Sequence, residues 1–226
     1  MNLTKEQLEK IQAFIKQKGI NYIDVQMEII DHVASLIEDK MSNNEDLEFD
    51  DALIETHKSF GVFGFSSIEE GITKGLNIRY RKIFFRNIIH FFNIKLLPLT
   101  LLAFYAFYKV QYLVNDMKLK FPLFITSMLV VIVILYIQFF KSYNLKNYLT
   151  FRISASYLSL LGGILSIGIG LRNLFEPGYI YYGINTDYFF TSFFVGVFFL
   201  YINSSIKTAN IGIVESKLLQ EKYSIL

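Results

Sequence analysis

The sequence predicts an all-α protein in two parts: a small N-terminal cytoplasmic helical bundle followed by a four-helix transmembrane bundle. Three observations carry this. The chain is 53% hydrophobic and 17% aromatic over 226 residues, against about 45–50% apolar in soluble domains, and the excess falls almost wholly after Ile83. The charge divides near the same place. Residues 1–73 carry fifteen Asp and Glu against six Lys, whereas residues 74–226 carry sixteen Lys and Arg against five acids. A net charge of +2 therefore conceals an acidic head on a basic remainder. Finally, apolar residues recur with helical period in the first part, while in the second they form runs of about 19–20 residues, the length that crosses a hydrocarbon core.

The first helix starts at "LTKEQL". Thr4 is its cap, Gln7 completes a capping box, and Leu3 and Leu8 can form the hydrophobic staple. Leu8, Ile11 and Ile15 follow at helical spacing, with Gly19 as the stop. A second helix is expected over 22–41. Ile23, Met27, Ile30, Ala34, Ile37 and Met41 share one face, which Ile29, Val33 and Leu36 widen. Asp24, Glu28, Asp31, Ser35, Glu38 and Asp39 lie on the other side, with His32 at its margin. After the polar loop "SNNEDLE", Phe49, Ala52, Leu53, Thr56 and Phe60 mark a third helix ending at Gly61. Helices this short need one another to bury their apolar faces, so residues 1–75 should form a soluble acidic bundle.

Ser66 and Ser67 precede Glu69 and Glu70 at capping-box spacing and start a fourth helix. It is expected to run through "RYRKIFFRNIIHFFNIK" (79–95), with 76–93 as a basic, aromatic juxtamembrane helix. Arg79, Arg81, Lys82 and Arg86 interleaved with aromatic rings suit a lipid headgroup surface better than a nucleic acid, so no direct nucleic-acid partner is expected.

The transmembrane domain, 94–210, is expected to hold spans at 96–114, 121–140, 153–171 and 188–206, with 211–226 as a cytoplasmic tail. Basic residues precede span one, fill the segment between spans two and three (Lys141, Lys146, Arg152) and follow span four (Lys207, Lys217, Lys222). The opposite side has Lys118 and Lys120 in one loop and the aromatic "FEPGYIYYGINTDY" in the other. The positive-inside rule then puts both termini in the cytoplasm, as expected of a multi-pass protein of the cytoplasmic membrane. "MNLTKEQLEK" reads as a polar helix start, so insertion is expected to rely on internal segments. Span three carries small residues in rows: Ala155, Ser159 and Gly163, then Gly162, Ser166 and Gly170. They read first as helix-packing positions within the bundle and second as an oligomer contact.

Several function classes find no support. Without cysteine, disulfides and thiolate metal sites are excluded. No Asp or Glu falls within a span, where coupled carriers place ionisable groups. Phosphate loops, HExxH pairs and GxSxG elbows are missing. No catalytic residue, cofactor or metal is assigned. The stretch "MEIIDHVASLIEDKM" resembles a site most. Glu28 and His32 at i, i+4 could share a metal with Asp31 or Asp24, but one imidazole is too few for a tight transition-metal site. A solvated acidic face is the better reading, and Asp24, Glu28, Asp31, His32 and Glu38 form the candidate docking surface for a partner.

"EIIDHVASLIEDKM", an acidic loop and "FDDALIETHKSFG" resemble the HAAS-type domain of bacterial membrane proteins. Asp31, His32, Glu38, Ala52, Phe60 and Gly61 are the matching positions, and the resemblance covers about residues 4–75. It implies sensing or regulation at the inner membrane beside a PadR-type regulator, with no catalytic residues. The expected function is thus a non-enzymatic regulatory or interaction protein whose head binds a cytosolic partner. The alternative is an accessory subunit of a transporter or other membrane complex.

Overall fold

A computed structural model describes residues 3–113, 117–141, 144–172 and 179–224. It is helical almost throughout. In order come α1 (Lys5–Gln17), α2 (Ile23–Asn43), α3 (Phe49–Ser59), α4 (Ser66–His90), α5 (Leu97–Val110), α6 (Met117–Tyr136), α7 (Leu149–Ser159), α8 (Leu161–Arg172) and α9 (Thr186–Ser224). A hairpin of two-residue strands, β1 (Ile180–Tyr181) and β2 (Ile184–Asn185), precedes α9. The chain divides into two compact units.

The first unit gathers Met1–Arg79, Leu145–Ile153 and Val214–Leu226. The capping box of α1 forms as the sequence predicts: the Gln7 N–H donates to Thr4 Oγ1 at 3.3 Å, and the Thr4 N–H donates to Gln7 Oε1 at 2.8 Å. Gly19 and Gly61 follow α1 and α3 at φ of 94° and 74°, the left-handed conformation that ends a helix. Ile11 and Ile15 of α1, Ile29, Val33 and Ile37 of α2, and Ala52 and Leu53 of α3 form the core. Each large aliphatic residue buried there contributes about 1.5–3 kcal/mol. The buried face of α2 also includes Val25, whereas Met27, Ala34 and Met41 are only half-buried and Leu36 is exposed. Because α1 and α3 both pack on α2, its buried stripe is rotated from the one that periodicity alone suggests.

The fourth helix starts at Ser66 and runs unbroken through the basic aromatic stretch to His90, so the juxtamembrane segment is the second half of α4. Nothing between Ser66 and His90 removes a backbone N–H or breaks the ladder. The expected tail at 211–226 is the end of α9 as far as Ser224, and from Val214 on it belongs to the first unit. Its Glu215 pairs there with Arg79.

The second unit comprises Tyr80–Asn144 and Ser154–Ile213. Phe84 of α4 stacks on Tyr157 with centroids 4.5 Å apart and meets Tyr201 of α9 edge-on at 5.0 Å. The Gln111 side-chain amide donates to the Tyr188 carbonyl at 3.0 Å and to Ser192 Oγ at 2.7 Å. Helices α6 and α8 pack together.

Of the four expected spans, two lie on helices long and apolar enough to cross a membrane, Leu149–Leu171 (α7 and α8 together) and Thr186–Lys222 of α9. The span expected at 96–114 is α-helical for only 14 residues, then tightens into a 3₁₀ turn at Gln111–Leu113. The span expected at 121–140 lies on α6, which passes into a π-helical turn at Ile137–Lys141, and its apolar stretch among the described side chains is Ile125–Phe139. The side chains of Lys118, Lys120 and Lys141, residue 114 of the first expected span and residues 175–178 of the aromatic loop lie outside the described residues. In the two long helices only 39% and 22% of the apolar stretch is buried. A core helix of a water-soluble protein would bury most of it.

Candidate functional site

The acidic stretch of α2 separates into residues the fold uses and residues it leaves free. Asp24, in the first turn, is a structural residue. The Leu149 N–H donates to its Oδ1 at 2.9 Å and the Thr150 N–H to its Oδ2 at 2.8 Å. These are the first two N–H groups of α7, which have no partner within that helix. An aspartate here also meets the positive end of the helix dipole. The contact is reinforced on both sides. The Ile23 N–H donates to the Asn147 carbonyl at 2.9 Å. Arg152 donates to the Tyr22 hydroxyl, and its guanidinium lies 5.7 Å from the centre of the Tyr22 ring. Tyr148, at the same junction, has its phenol pushed up by burial and then by the charge of Asp24. The start of α2 thus serves as the cap of α7.

Glu38 is also engaged. It accepts the Leu3 N–H at 2.9 Å and ties the entry of α1 to α2. Of the expected docking set, Asp24 and Glu38 thus also carry structural contacts, through both oxygens of Asp24 and one of Glu38. Glu28, Asp31 and His32 are exposed. His32 Nε2 lies 3.6 Å from Glu28 Oε1, one turn away. Among the described residues no group of three His, Cys, Asp or Glu is placed to hold a metal.

His57 is a titratable group that sequence reasoning left unassigned. Its ring meets Phe65 at 4.9 Å and Phe14 at 5.3 Å, both edge-on. Burial first, and then the positive charge of Lys18, lower its pKa from the ordinary 6.5. It is a member of the aromatic cluster of the first unit.

The small residues of α7 and α8 are placed differently from the first expectation. Ser159, Gly162, Gly163, Ser166 and Gly170 are exposed, and nothing lies within 4 Å of where a Cβ would stand on the three glycines. The close approach is at Gly168 instead, where a Cβ would stand 2.0 Å from Cζ of Phe194. The signal was available, since Leu158, Leu161, Leu165 and Gly168 fall at intervals of three and four, and all are buried. On α4, Arg79, Arg81, Lys82 and Arg86 are exposed, with Arg79 engaged by Glu215.

The chain matches no family model, no curated protein and no solved structure.

Proposed function

We propose that the chain is a non-enzymatic regulatory or interaction protein of the bacterial cytoplasmic membrane. Its helical head docks a basic cytosolic partner through Glu28, Asp31 and His32. The observation that carries the reading is the composition of the first unit. The N-terminal helices, the segment before α7 and the end of α9 collect in one body, and Asp24 fixes the first turn of α7 within it. Four spans, two on either side of residues 145–153, would return all three segments to one face of a bilayer, and the basic flanks of the spans would make that face the cytoplasmic one. Helix length agrees. From Thr186 to Val214 an α-helix rises about 42 Å, close to the 40–45 Å of a bilayer with its headgroups. The stretch Leu97–Leu113, with its 3₁₀ end, reaches about 26 Å, close to a thinned hydrocarbon core.

The HAAS-type resemblance of residues 4–75 points to a PadR-type regulator as the docking partner. Two measurements test the proposal. A reporter active only after export should be silent when fused at the C-terminus and active when inserted at Asn185. Full-length protein purified in mild detergent should retain a soluble basic regulator at low salt and release it as salt rises. An active C-terminal fusion, or retention of no soluble partner, would falsify the reading.

A second reading rests on the exposed row Gly162, Gly163, Ser166 and Gly170. Open, small-residue surfaces on apolar helices accept close helix contacts. They suit an accessory subunit seated on a larger membrane protein, or a second copy of this chain. Copurification of a polytopic partner rather than a soluble one would favour it.

A further inference from the structure

The hairpin before α9 presents a surface that neither folding nor the docking face uses. Tyr179, Ile180, Tyr181, Tyr182 and Ile184 are all exposed, Tyr182 by 88%. Residues 179–186 carry no charged side chain. A water-facing loop of this composition would invite association.

Its backbone sharpens the point. Tyr182 and Gly183, the two turn residues, have φ of 47° and 77°, as a two-residue type I′ turn requires. Asparagine or glycine is preferred at the first of these positions, because a side chain in the left-handed region is strained. Tyr182 is the only non-glycine residue with positive φ among the described residues. Among the described residues the strained one is also the most exposed aromatic residue, so its side chain is held outward at a backbone cost that Asn would avoid.

The hairpin is fixed at a definite level. The Asn185 N–H donates to the Tyr108 hydroxyl at 3.1 Å, and the Thr186 N–H donates to the Tyr179 carbonyl at 3.0 Å. Tyr112 meets Tyr188 edge-on at 4.9 Å. The end of α5 and the start of α9 therefore carry a ring of tyrosines at one level. Lys109 lies 5.5 Å from the Tyr105 ring there. Tyrosines with an occasional lysine are what the water boundary of a bilayer selects. Helix α9, which carries the span expected at 188–206, begins at Thr186, directly after β2.

We propose that the hairpin lies in the lipid headgroup layer on the extracytoplasmic side, with Tyr182 as its inserted tip. The inference rests on the membrane-spanning reading of α9. Scale agrees: two strand residues and half a turn reach about 10 Å, while each headgroup layer is roughly 5–8 Å thick. Tyrosine suits that layer, since the ring is apolar and the hydroxyl can bond to lipid phosphate or ester oxygens. With no charge on the hairpin, binding should not depend on anionic lipid.

The chain contains no tryptophan, so a single introduced indole is an unambiguous probe. Tyr182→Trp and, in case the strained position rejects it, Ile184→Trp are made in the full chain. Each is placed in phosphatidylcholine nanodiscs carrying spin-labelled lipid, with the label either near the headgroup or at the chain end. Val197→Trp on α9 is the depth control. Hairpin probes should be quenched roughly twofold more by the headgroup label than by the chain-end label, and should resist iodide. The Val197→Trp probe should show the opposite depth preference. Hairpin probes that iodide quenches as freely as tryptophan amide, with no lipid quenching, would overturn the inference and leave the spans standing. Protection from iodide without lipid quenching would also overturn it, because protein would then cover the hairpin. No lipid quenching of Val197→Trp would instead remove the membrane reading beneath it.

Discussion

Asp24 holds the first N–H of α7: the Leu149 amide donates to its Oδ1 at 2.9 Å across 125 residues of sequence. Thr150 completes the pair on the other oxygen. A helix that needs an acceptor from elsewhere has its first turn controlled by whatever controls that acceptor. A partner bound on α2 would therefore have a direct route to the start of α7.

The strength of this contact is measurable. Hydrogen bonds to a charged acceptor contribute about 1.5–3 kcal/mol each. We predict that Asp24→Ala speeds amide exchange at Leu149 and Thr150 by on the order of ten- to a hundredfold, and that Asp24→Asn has a smaller effect. Hydrogen–deuterium exchange of the full chain reads this out. Unchanged protection in Asp24→Ala would mean that α7 is capped in another way.

The docking face and the core of α2 should separate cleanly. Glu28→Ala with Asp31→Ala removes exposed carboxylates, whose stability contribution is about 0–1 kcal/mol. The variant should keep its helical circular dichroism and thermal midpoint but lose partner binding at low salt. Ile30→Asp instead buries an unpaired charge and should unfold the head. If the double alanine variant binds as tightly as the parent at every salt concentration, Glu28 and Asp31 only solvate the helix.

His57 sets a pH dependence with a definite sign. Its folded pKa lies below 6.5, through burial and then Lys18. The unfolded chain therefore binds the proton more readily than the folded one, and stability falls as pH drops below 6.5. The thermal midpoint should decline across that range and His57→Phe should flatten the decline. A midpoint with the same pH slope in His57→Phe would assign the effect to another group.

Local features of the head were legible in the sequence because each is written in adjacent residues. Thr4 and Gln7 are three apart, and Gly19 and Gly61 each end their own helix. The role of Asp24 was not legible. Its partners are backbone N–H groups, which every residue but proline possesses, so the side chains at 149 and 150 carry no trace of it. The rotated face of α2 has a related cause, since two neighbours pack on it and periodicity averages over both. In α7 and α8 the difficulty is different. Where every face of a helix is apolar, spacing marks small residues without saying which of them meets protein and which meets the surroundings.

That distinction yields the last prediction. Gly168 and Gly163 look alike in sequence, yet a Cβ at Gly168 would fall 2.0 Å from the Phe194 ring, while one at Gly163 would meet nothing within 4 Å. Gly168→Ala must push Phe194 out of its seat. Overpacking of this kind costs about 1–3 kcal/mol. Gly163→Ala should be neutral or gain up to about 1 kcal/mol, because alanine is the better helix former. Thermal unfolding of the detergent-solubilised chain compares the two. Phe194→Leu, which vacates part of the seat, should restore much of the loss in Gly168→Ala, so the two substitutions should be strongly non-additive. Equal midpoints for Gly168→Ala and Gly163→Ala would mean that the Phe194 ring moves without cost and that this contact does not fix the packing of α8 against α9.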